Sequence, residues 1–120
     1  MTASEYQPPR EYQPPGWFAD LADTPLAHQL WDFVNDPENL DEMAKASNRG
    51  QPAVVAIEKP LLDRFGAKVM PAQIRPRSRI KHMIGHMVRQ AMEHQGFIHH
   101  EYGVEINSVL FSKGSLYRKA

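Results

Sequence analysis

Three arginines within five residues, Arg75, Arg77 and Arg79, lead into a run of polar side chains at helical spacing: Lys81, His82, His86, Arg89, Gln90 and Glu93. Guanidinium forks bind phosphate and carboxylate oxygens two at a time, so the run offers donors and positive charge to an anion. His82 and His86 stand at i and i+4, the spacing at which two imidazoles can share one ion, with His94, His99, His100 or Glu101 as a third ligand. No HExxH pattern is present, because position 83 is Met, and the chain has none of the cysteine that structural zinc sites draw on. Ser78, Ser108, Ser112 and Ser115 lack a nucleophile-elbow context, and no Gly-rich phosphate loop occurs. The expectation is a binding protein without metal or cofactor, and not an enzyme.

These side chains need a helix to hold them. Ile80, Met83, Ile84, Met87, Val88, Ala91 and Met92 recur every three or four residues, which predicts an amphipathic helix over Ser78–Gly96 with one face in the core. The opposite face carries His82, His86, Arg89 and Glu93. Charge follows the same division. Residues 1–63 hold four basic and eleven acidic side chains, and residues 64–120 hold ten basic and three acidic, so a balance of −7 faces one of +7. Five of the six histidines fall in the basic half. A basic half points to a polyanionic partner, unless the two halves neutralise each other inside the molecule.

Upstream, the repeated Glu-Tyr-Gln-Pro-Pro at positions 5–9 and 11–15 favours polyproline II, so residues 1–22 are expected to form an extended arm, disordered or bound to a partner. Tyr6, Tyr12, Trp17 and Phe18 are its candidate partner-binding residues, and Trp17 and Phe18 could equally fold back onto the chain's own core. Residues 23–120 then form one helical domain. Thr24-Pro25 and Asp36-Pro37 are cap-and-first-turn pairs for two short helices, with Leu26, Leu30, Phe33 and Val34 facing inward on the first and Leu40, Met43, Ala44 and Ser47 on the second. Gly50 ends the second helix. Val54, Ile57, Leu61 and Phe65 predict a third, kinked or split near Lys59 by Pro60 and closed by Gly66. Residues 67–77 read as a loop.

After Gly96 the period changes from helical to alternating. Residues 97–101 and 104–106 predict a hairpin turning at Tyr102-Gly103; residues 109–111 predict a further strand, and residues 113–119 a basic, partly aromatic tail. The fold class expected is mainly α with a small C-terminal β-hairpin.

This order of elements, over residues 52–112, resembles winged helix-turn-helix DNA-binding domains. The resemblance implies that the helix holding Lys81, Gly85, His86, Arg89 and Gln90 enters the major groove of double-stranded DNA, where Arg and Gln bond guanine and adenine edges. It implies that Arg75, Arg77, Arg79, Lys113 and Arg118 hold phosphates, and that paired half-sites would make a homodimer natural. The expected hairpin also carries Glu101 and Glu105, which a phosphate backbone repels. The alternative is an interaction or inhibitor protein that meets a protein partner through its acidic helices and its Pro/Tyr/Trp arm.

A chain of 120 residues that is 42% hydrophobic suits one domain. Its longest apolar run, Ala53–Ile57, is far below the roughly 20 residues of a membrane-spanning helix. The N-terminus does not read as a secretory signal, and the absence of cysteine fits a reducing compartment, so a cytoplasmic location is expected.

Overall fold

Two side-chain caps set the first half of the molecule. In this computed structural model, which describes residues 11–69, 75–108 and 110–120, with the backbone alone for 67 and 75–78, Thr24 Oγ1 accepts the amide of Ala27 at 3.2 Å and starts helix α2, Pro25–Val34. Asp36 accepts the amide of Glu38 at 3.0 Å and starts α3, Pro37–Asn48. Each cap answers an otherwise orphaned helix donor, a gain of about 1 kcal/mol, and each following proline lacks a donor that would have gone unused.

The buried faces are rotated slightly from those expected. On α2 they are Ala27, Leu30, Trp31, Phe33 and Val34, while Leu26 is only partly buried; on α3, Asn39, Met43, Ala46 and Ser47 are buried, and Leu40 and Ala44 only partly. Two buried amides hold the α2–α3 junction. Asn35 Nδ2 donates to the Trp31 carbonyl at 2.9 Å, and Asn39 Nδ2 to the Phe33 carbonyl at 2.8 Å, answering carbonyls at the end of α2.

Helix α4, Ala53–Phe65, is continuous, which removes the two-piece alternative. Pro60 lies on its exposed side, so the missing hydrogen bond leaves a carbonyl within reach of water. After a 3₁₀ turn at Gly66–Lys68, α5 spans Arg75–His94. It therefore begins three residues before the expected start, and Arg75 and Arg77 belong to its first turn rather than to a loop. Pro76 is compatible with that turn because the first amides of a helix have no intrahelical acceptor. Met83, Ile84, Met87, Val88, Ala91 and Met92 are all buried, as the periodicity predicts.

The hairpin differs from expectation in register. β1 runs unbroken from Phe97 to Glu105 and pairs antiparallel with β2, Lys113–Lys119, so the expected tail is the second strand. The pairs Glu101↔Leu116 and Val104↔Gly114 leave one extra residue on β1. Gly103, at φ 63°, supplies the left-handed conformation for this bulge instead of a turn. Of the expected strand at 109–111, Leu110 and Phe111 are instead buried in the connection between the strands, and Val109 lies outside the described residues. Glu58 of α4 holds that connection, accepting the Ser108 hydroxyl and the Leu110 amide, the latter at 3.1 Å.

From Gly16 the expected arm is helical, with a 3₁₀ turn at Gly16–Phe18 and a single turn, α1, at Ala19–Ala22. Phe18 is buried in the same core as α2, α4 and α5. The architecture is thus a helical assembly with one C-terminal antiparallel hairpin, whose core joins all its elements, and among the described residues no helix is long and apolar enough to cross a membrane.

Candidate functional site: a basic groove along α5

The outer face of α5 lies between two walls. Residues 12–20 pack along one side of it, and the hairpin stands on the other, so α5 forms the floor of a groove of about 680 Å³. Gly114 brings the second wall close. A Cβ there would sit 2.9 Å from Pro52 Cβ and 3.2 Å from Val54 Cγ2, so only glycine lets β2 pass so near the start of α4.

Four of the outward side chains of α5 are held by the chain itself. Arg79 donates to both carboxylate oxygens of Asp20, at 3.1 and 2.8 Å, and also to the Trp17 carbonyl. Its hydrogen bonds hold the Asp20 carboxyl below the usual carboxylate range. Gln90 bonds the backbone of Gln13 in both directions, accepting its amide at 3.1 Å and donating to its carbonyl. Arg89 donates to the Tyr102 hydroxyl at 2.6 Å and lies 3.7 Å from a Glu93 oxygen.

His86 Nδ1 is 2.9 Å from the Tyr12 hydroxyl, and the Tyr12 ring also packs on Trp31 at 5.1 Å. Burial, reinforced by the Arg89 charge and opposed by Glu93, lowers the His86 pKa, while burial raises that of Tyr12. A neutral imidazole beside a protonated phenol assigns the bond: the hydroxyl donates and Nδ1 accepts. This nitrogen is therefore engaged by Tyr12.

Lys81 and Lys113 differ from these. Among the described residues neither ammonium has an ion-pair or hydrogen-bond partner, and both line the groove. Among the described residues no Asp or Glu lines it. Its rim carries Trp17 and Tyr102, which are 70% and 67% exposed. Among the described residues the groove therefore presents free cations and exposed aromatic side chains without a carboxylate, the Tyr102 ring being also contacted by His99 and by the Arg89 guanidinium, a combination suited to a phosphate-bearing ligand with planar groups.

Of the expected DNA-facing residues, the fold brings Arg79, Lys81, Gly85, His86, Arg89 and Lys113 together along the groove. Gln90 is docked on Gln13 instead, and Arg118 sits in β2 opposite Ile98, off the groove. The side chains of Arg75 and Arg77 lie outside the described residues, as does Tyr6. Of the expected partner-binding residues, Tyr12 and Phe18 pack on the chain's own domain, and Trp17 alone among the described ones projects into solvent. Sequence reasoning did not find Tyr102 as a site residue, because Tyr-Gly reads as a turn; the available signal was an aromatic next to a glycine that a bulge can use.

No protein-family model, curated protein or solved structure matches the chain.

Proposed function

We propose that the protein is a non-enzymatic, cytoplasmic DNA-binding regulator that receives the DNA in the groove along α5. The observation that carries this reading is that, among the described residues, no carboxylate lines the groove and Lys81 on α5 and Lys113 on β2 are without a hydrogen-bond or ion-pair partner. In a chain of zero net charge, such a patch creates a local positive field, and the acidic half contributes Trp17, Phe18 and Val54 to the lining, with Asp20 reaching it only through its contact with Arg79 among the described residues. The succession of α4, α5 and hairpin supports the reading through its resemblance to winged helix-turn-helix domains, in which the loop between β1 and β2 would correspond to the wing. The protein-partner alternative rests on the acidic helices and the Pro/Tyr/Trp arm, and for the arm the burial of Phe18 in the core and the packing of Tyr12 against it weigh against that reading.

The test is a titration of a labelled DNA duplex carrying a single-stranded overhang, repeated at several salt concentrations. Affinity falls steeply with salt, and the double variant Lys81→Ala/Lys113→Ala lowers the slope of log affinity against log salt by about 1.4 to 1.8. No binding at low salt would exclude the reading.

A further inference from the structure

We propose that the groove takes an unpaired stretch of DNA, with bases stacked on Trp17 and Tyr102 and phosphates on Lys81 and Lys113. The inference rests on the DNA-binding reading and specifies the form of nucleic acid that the site accepts. A helix that enters the major groove must stand clear of its surroundings, since the groove is only about 12 Å wide. Here α5 does not. Its face is recessed between the N-terminal segment and the hairpin, and the groups that would read base edges, Arg89 and Gln90, already bond Tyr102 and Gln13. A concave floor excludes a rigid duplex and admits a flexible strand.

The aromatic placement agrees. Exposed large apolar side chains among the described residues are few, and the two aromatic ones, Trp17 and Tyr102, both border this groove. Every base has a π-face, so stacking platforms beside a cationic track are the usual means of holding single strands.

Gly85 gives an independent indication. A glycine inside a helix is unfavourable relative to alanine, and it is normally kept where something approaches closely. No described side chain of this protein does so: a Cβ at position 85 would meet nothing within 4 Å. The space above Gly85 opens into the groove, and its lack of a side chain leaves a flat patch of floor for a base or sugar.

The experiment compares three probes on the full chain by competition: oligothymidylate, a blunt duplex of the same length, and thymidine monophosphate. The single strand is expected to bind at least about tenfold more tightly than the duplex, and Trp17→Ala to weaken it by about tenfold, the usual effect of removing one stacking platform. Gly85→Ala is expected to weaken single-strand binding severalfold while raising the melting temperature, which separates its binding effect from any loss of folding. Duplex bound as tightly as single strand, with Trp17→Ala and Gly85→Ala both without effect, would overturn the inference and leave the DNA-binding reading standing. Binding of none of the three probes would remove both. A mononucleotide bound as tightly as the oligomer would replace the strand with a free-nucleotide pocket.

Discussion

The Tyr12 hydroxyl lies 2.9 Å from His86 Nδ1, joining a residue of the Pro-rich segment to the middle of α5 across 74 positions of sequence. This bond, with the Gln13–Gln90 pair and the Asp20–Arg79 pair, aligns residues 12–20 along the helix and makes one wall of the groove.

Tyr12→Phe keeps the ring against Trp31 and removes only the hydroxyl. The expected loss is about 0.5 to 1.5 kcal/mol, the net value of one such bond. Tyr12→Ala also removes the ring contacts and should cost about 2 kcal/mol. Denaturant melts of the two variants measure both, and hydrogen exchange should locate the added opening in residues 11–22.

Stability should fall on mild acidification. Burial is the main cause holding the pKa values of His86 and His99 below the ordinary histidine value; Arg89 lowers both further, Glu93 opposes, and His100 adds to the lowering at His99. The folded state then binds fewer protons than the unfolded state. Its stabilisation by these groups is complete above the unfolded value of about 6.5 and is lost as pH falls from there through the lower folded values. Denaturant midpoints between pH 8 and 5 should show the decline, and His86→Gln should reduce it. The Asp20 carboxyl titrates in a separate, more acidic window: its depressed pKa gives stability that is present above the ordinary carboxylate range and lost as pH falls below it.

Asp20→Asn removes the only carboxylate that bonds Arg79 among the described residues. The pair is solvent-exposed, so folding should change little. DNA affinity should rise instead, because a guanidinium is released to the groove, and the salt slope should steepen by up to about 0.9. A slope equal to that of the wild-type protein would show that Arg79 does not contact phosphate.

Two glycine-to-alanine changes should act in opposite directions. At Gly114 the new methyl meets Pro52 and Val54, backed by the core, and overpacking of this kind costs about 1 to 3 kcal/mol. At Gly85 it meets open space on a helix surface and should stabilise by about 0.5 to 1 kcal/mol. Thermal melts of both variants provide the comparison.

Much of the helical half is legible in the sequence because its signals are local. Thr24-Pro25 and Asp36-Pro37 place two helix starts correctly, since a cap bond spans only two or three residues. The stripe from Met83 to Met92 identifies the buried face of α5 because a helix repeats its environment every turn. The hairpin is less legible. Gly103 permits either a turn or a bulge, and the decision came from residues far along the chain: Leu110 and Phe111 fill the core, and Glu58 anchors the connection that lets β1 run on to Glu105.

The sequence by itself determined the helical periodicity, the caps, the inward stripe of α5 and the concentration of cations in the second half. Only the tertiary structure decided which of those cations are free. Arg79, His86, Arg89 and Gln90 read, like Lys81, as polar positions outside the buried stripe, yet each meets a side chain or backbone group 13 or more residues away, and Lys81 has no hydrogen-bond or ion-pair partner among the described residues. Periodicity records which way a side chain faces. It carries no information about what another part of the chain will place in front of it, and that placement turned an exposed helix face into the floor of a groove.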